Sequence, residues 1–171
     1  MGIVITESEM QFGDYEKEQV FYIEKSRQYT EKLRGKGIKI CEFLLLRENK
    51  LYFIEAKKSC PKQIAADTEE EKREKYKQYI QGIILKMKHS LMLYSNIILR
   101  RYSMDNVPEA LRDLSKADVR LILVVKNAEK EWLAPFQDIF NKEMRDEMLI
   151  WNIPSFMVIN DEIARKKHFI L

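Results

Sequence analysis

The chain has 171 residues, 46% of them hydrophobic and 33% charged, with a formal net charge of +3 at pH 7. This is the size of one domain with a sizeable core, and no window approaches the roughly 18 consecutive apolar residues of a membrane span. A sequence pI near 8.7 is compatible with a nucleic-acid partner but lies below the pI of about 9 or more found in domains built chiefly to bind one.

The opening MGIVITESEM lacks the basic-then-apolar pattern of a signal peptide, so a reducing cytoplasm is the expected location. Ile3–Thr6 and Met10–Phe12 read as short strands or an irregular lead-in. Tyr22, Ser26, Tyr29 and Leu33 recur every three or four residues. That spacing predicts a helix from about Ile23 to Leu33, stopped by the glycines of Arg34-Gly35-Lys36-Gly37. Two strands follow, roughly Ile38–Leu46 and Leu51–Lys57, joined by the polar turn Arg47-Glu48-Asn49-Lys50. Their runs FLLL and LYFI fit a hairpin buried on both faces. Pro61 forbids continuation of the second strand. A long helix is predicted from about Ala66 to Arg101, with Tyr76, Ile80, Ile83, Ile84, Met87, Leu91, Tyr94 and Ile98 as one apolar stripe. Its charged opening, TEEEKREKYK, reads as solvated first turns with acids at the positive end of the dipole. Pro108–Leu114 reads as a short helix and Val119–Val125 as a buried strand rich in β-branched residues. Glu131–Met148 reads as a helix, Ser155–Ile159 as a strand and Asp161–Lys167 as a terminal helix. Strands alternating with helices imply an α/β fold, a mixed central sheet flanked by helices on both faces.

The hairpin carries the chemistry. With Leu46 opposite Leu51, Leu44 faces Phe53 and Glu42 faces Glu55, and side chains directly opposed in a sheet stand about 5 Å apart at Cβ. Lys57 shares the face of Glu55, because side chains alternate with period two. Two carboxylates at the edge of an apolar face are costly unless a cation or proton relieves them, and Mg²⁺ is commonly held by one or two carboxylates plus substrate phosphates. The plain alternative is that both acids reach solvent at strand ends, with Lys57 as a surface counter-charge. A three-residue loop would move Glu42 opposite Ala56, onto the other face. Two cysteines (Cys41, Cys60) and two isolated histidines (His89, His168) give neither a disulfide framework nor a Cys/His metal site.

Glu42 and Glu55-Ala56-Lys57 resemble the motif of the PD-(D/E)XK nuclease superfamily. In that superfamily an acid on the second core strand and a (D/E)-x-K on the third hold one or two Mg²⁺ ions. Here the first acid is Glu where the family's name has Asp, and Cys41 stands where Pro often does. The resemblance covers about residues 20–130 in element order. It implies a restriction-endonuclease-like α-β-β-β-α-β core and a single nuclease-like domain over residues 1–171. It further implies Mg²⁺ or Mn²⁺ at Glu42, Glu55 and the Ala56 carbonyl, and Lys57 positioned to stabilise charge rather than to act as a base. Glu24 on the first helix is the candidate for an extra acid, ahead of Glu18, and Gln78 on the second helix for a substrate contact. Lys36, Lys39, Lys58 and Lys62 would grip a phosphate backbone without reading sequence.

The expected activity is metal-dependent hydrolysis of nucleic acid, DNA foremost, in bacterial defence, restriction or repair, acting as a monomer, a homodimer or part of a larger complex. The competing expectation is a catalytically inactive protein of the same fold that binds nucleic acid or another protein. A coincidental E-x-K in an unrelated α/β domain is the third.

Overall fold

Turn chemistry builds the sheet. Glu48 and Asn49 take φ values of 51° and 58°, the left-handed pair that a two-residue hairpin requires. They close β4 (Phe43–Arg47) onto β5 (Lys50–Lys57), with Leu46 opposite Leu51 and Leu44 opposite Phe53 as expected. The structure is a computed structural model and describes residues 2–61 and 68–171.

β3 (Val20–Phe21) pairs antiparallel with the other edge of β4. β6 (Asp118–Val125) runs parallel to β5, and β7 (Phe156–Asn160) parallel to β6. The result is a mixed five-stranded sheet in the order β3-β4-β5-β6-β7. A second, two-stranded sheet joins β1 (Ile3–Glu7) to β2 (Met10–Tyr15) through a turn at Ser8 and Glu9, again with positive φ.

The two faces of the large sheet are covered differently. Leu44, Leu51, Phe53, Leu121, Leu123 and Phe156 pack on the helical side, against α2 (Glu69–Ile98) and α3 (Lys130–Glu143). Phe43, Leu45, Tyr52, Ile54 and Val124 pack instead against the β1–β2 hairpin and α5 (Asp161–Lys166), with Phe169 and Ile170. Helices therefore reach both faces, but a hairpin shares the second. Truncating one of these fully buried side chains to alanine costs roughly 2–5 kcal/mol. No helix among the described residues is long and apolar enough to cross a membrane.

Several expected boundaries are corrected. Helix α1 is Arg27–Lys32, shorter than Ile23–Leu33, because Ser26 in extended conformation caps it by accepting from the Tyr29 N–H. Ile23–Lys25 form only a 3₁₀ turn. The helix also does not lead the meander: Val20–Phe21 enters the sheet first, so the core order is β-α-β-β-α-β rather than α-β-β-β-α-β. Residues 38–42 are not strand. Side chains take up backbone groups of three of them: the Tyr29 hydroxyl donates to the Ile38 carbonyl at 3.0 Å, the Lys39 N–H to His89 Nδ1 at 3.2 Å, and the Cys41 N–H to Ser90 Oγ at 2.8 Å. Thr68 caps α2 by accepting from the Glu71 N–H. The predicted start of that helix at Ala66 lies outside the described residues. Pro108–Leu114 reduces to a 3₁₀ turn at Glu109–Leu111. The expected Glu131–Met148 helix breaks at Met144 into α3 and α4 (Arg145–Ile150).

Candidate metal centre

Glu42 lies one residue before β4, where the hairpin ladder slips by one. Its N–H donates at 3.0 Å to the carbonyl of Ile54, the partner of Phe43, so the expected direct pairing of Glu42 with Glu55 is not part of the ladder. Its own carbonyl accepts from the Glu24 N–H at 3.3 Å, which ties the 3₁₀ turn Ile23–Lys25 to the strand. The side chains follow the backbone. Carboxylate oxygens of Glu7, Glu24 and Glu42 all lie within 4.8 Å of one another. Glu7, at the end of β1, is brought in by the hairpin turn. There Ser8 donates its hydroxyl to the Ala56 carbonyl at 3.0 Å, and Glu9 pairs with Lys58 and, at 3.1 Å, with Lys126.

Glu55 points to the same helical face but into a different environment. It is fully buried, and its Oε1 lies 2.8 Å from the Lys57 ammonium. A second ammonium reaches it from α2: Lys86 Nζ donates to Oε1 at 2.8 Å, to Oε2 at 3.1 Å, and to Glu42 Oε1 at 3.4 Å. Lys86 thus bridges the two carboxylates of Glu42 and Glu55. Its place along α2 is fixed by Ser90, whose hydroxyl donates to the Lys86 carbonyl and accepts from the Cys41 N–H.

Burial and charge act against each other here. Burial pushes the Glu42 carboxyl up, from an ordinary 4.5 to about 7; a hydrogen bond with Glu24 adds to this, and the Lys86 ammonium opposes it. Burial likewise raises Glu55, against the pull of Lys86 and Lys57, and raises Glu7, helped by the nearby charge of Glu42. Burial disfavours the charge on Lys86, but Glu55 and Glu42 outweigh it and hold the ammonium above the usual lysine range. The carboxylates resist ionisation even with cations beside them. Hard oxygen donors converging in this way suit Mg²⁺ or Mn²⁺, so the donor set fits the expected ion.

The predicted site residues divide into two groups. Glu24, Glu42, Glu55 and Lys57 converge, and the Ala56 carbonyl lies at the same end of the sheet, accepting from Ser8. Gln78 does not join them: it is exposed, donates to Glu74 at 3.1 Å, and stands about 12 Å before Lys86 along the helix axis at 1.5 Å per residue. Lys36 and Lys39 are exposed on the segment before β4, and Lys58 is exposed and paired with Glu9. Lys62 lies outside the described residues. Glu18, in the 3₁₀ turn Lys17–Gln19, is not part of the acidic cluster.

Sequence reasoning missed two members, Lys86 and Glu7. Lys86 carried a usable signal. It sits three residues after Ile83 and four before Ser90, both buried, so it falls on the core-facing side of α2. Glu7 carried none, since only the tertiary seating of the β1–β2 turn on Ala56 brings it near.

No family model, curated protein or solved structure matches the chain.

Proposed function

We propose that this protein is a divalent-metal-dependent nuclease acting on DNA, with a site of the PD-(D/E)XK kind. The observation that supports this reading is the convergence of Glu7, Glu24, Glu42, Glu55 and Lys57 at one end of the central sheet. In this reading Glu7, Glu24 and Glu42 hold Mg²⁺ or Mn²⁺ at the accessible side of the cluster. A divalent ion there supplies Lewis acidity for a phosphate oxygen and lowers the pKa of water. Glu55, buried behind Glu42, positions Lys57 through their 2.8 Å ion pair. Lys57, with about a third of its side chain exposed, offers a fixed positive charge to the scissile phosphate. The Ala56 carbonyl has two lone pairs; Ser8 occupies one, leaving the other for the ion's shell. Lys36, Lys39 and Lys58 contact the backbone of the DNA without reading bases.

Cleavage of plasmid and single-stranded DNA with Mg²⁺ tests this, comparing wild type with Glu55→Ala and Lys57→Ala. Loss of cleavage in both variants is expected. Full activity in both would remove these residues from the chemistry.

A second reading, a non-enzymatic protein of this fold, is favoured by one observation. Lys57 and Lys86 already neutralise Glu55, so part of the cluster is a self-sufficient buried ion network. Under that reading Mn²⁺ produces no shift in melting temperature that depends on Glu42.

A further inference from the structure

The position of Lys86 bears on how many ions the centre takes, an inference that rests on the metal reading above. An ion shared between Glu42 and Glu55 would have to sit between their carboxylates. That position is held by the Lys86 ammonium, within 2.8 Å of one and 3.4 Å of the other. The side chain is largely enclosed, more so than that of Lys57. It is also anchored at its root, where Ser90 links the Lys86 carbonyl to the Cys41 N–H next to Glu42. Two-metal phosphoryl-transfer sites place their ions about 3.5–4 Å apart, so a second ion beside the Glu7/Glu24/Glu42 position would meet this ammonium.

We propose that Lys86 is a built-in cation occupying the place of a second metal, so that the centre binds one divalent ion, on the Glu7, Glu24 and Glu42 side. Charge counting agrees. Four carboxylates (Glu7, Glu24, Glu42, Glu55) face the ammoniums of Lys57, Lys86 and Lys25, the last 3.9 Å from Glu7, so a single divalent ion already more than balances them. A second ion would add two further uncompensated positive charges in a partly buried site. Lys86 is thus a positioning residue. It holds the Glu42 and Glu55 carboxylates together and sets metal stoichiometry without touching substrate.

The test is Mn²⁺ binding followed by calorimetry and by electron paramagnetic resonance on the full chain, without DNA. Wild type is expected to take one Mn²⁺ and to give an uncoupled six-line spectrum at saturation. Lys86→Ala is expected to take two and to show spin coupling, while Lys86→Arg keeps one. Lys86→Met, which retains the aliphatic stem, replaces Lys86→Ala if the alanine variant does not fold, and the wild-type spectrum requires no variant. Two ions or a coupled pair in wild type would overturn the inference, as would a single ion in Lys86→Ala. No Mn²⁺ bound to wild type would instead remove the metal reading itself, and this inference with it.

Discussion

Replacing Glu42 with glutamine isolates the electrostatic cost of the cluster. Burial raises the Glu42 carboxyl from an ordinary 4.5 to about 7, so between those values the folded chain binds a proton that the unfolded chain releases. Stability contributed by such a group falls as pH rises. At about 1.4 kcal/mol per unit, Glu42 alone withdraws roughly 2–3 kcal/mol between pH 5 and pH 8. For a chain of this length that equals about 5–10 °C of melting temperature. Glu55 and Glu7 are raised as well, so their contributions have the same sign. Glu42→Gln removes one ionisable group and keeps its shape. In EDTA the variant should therefore melt higher than wild type at pH 8, and its melting temperature should decline less between pH 5 and pH 8. Mn²⁺ favours the ionised carboxylate, so it should raise wild-type melting at pH 8 and leave Glu42→Gln nearly unmoved. Circular-dichroism melts across pH, with and without Mn²⁺, measure both effects. A wild-type melting temperature that is flat or rises from pH 5 to pH 8 in EDTA would refute this, as would identical slopes for the two chains.

Other perturbations separate the parts of the site. Lys86→Met leaves Glu42 without its ammonium and Glu55 with only one, and should cost roughly 3 kcal/mol in metal-free chemical denaturation, much of it recovered on adding Mn²⁺. Ser8→Ala leaves the Ala56 carbonyl without its donor, costing about 1 kcal/mol, and by loosening the turn that carries Glu7 it should weaken Mn²⁺ affinity in calorimetry. Gln78→Ala should leave both Mn²⁺ affinity and DNA cleavage unchanged, since that amide pairs with Glu74 on the exposed side of α2. Lys36→Ala combined with Lys39→Ala should leave Mn²⁺ binding intact while reducing the salt dependence of DNA affinity by about 1–2 in log–log slope.

The part of this site legible in the sequence is the part fixed by local pattern. FLLL, LYFI and the Glu48-Asn49 turn determine a two-residue hairpin, which brings Glu42 to the end of the sheet where Glu55 and Lys57 lie. The ladder slips at Glu42, however, and the two acids meet through Lys86 rather than as a cross-strand pair. The long apolar stripe of α2 and the β-branched run of β6 are equally local. What escaped depends on contacts between distant segments. Val20–Phe21 is too short for strand periodicity, and Ile38–Cys41 looks like strand until His89, Ser90 and Tyr29 take its backbone groups. The spacing of Lys86 to Ile83 and Ser90 marks it as core-facing, but its two acid partners are set only when α2 packs on the sheet. Glu7 joins the cluster only because the β1–β2 turn docks on Ala56.

Anomalous diffraction from a crystal soaked in Mn²⁺ tests the metal assignment most directly. One strong peak among the carboxylates of Glu7, Glu24 and Glu42, with the Lys86 ammonium still between Glu42 and Glu55, is the predicted map. No peak at those carboxylates, or Mn²⁺ ordered only at unrelated surface acids, would contradict it.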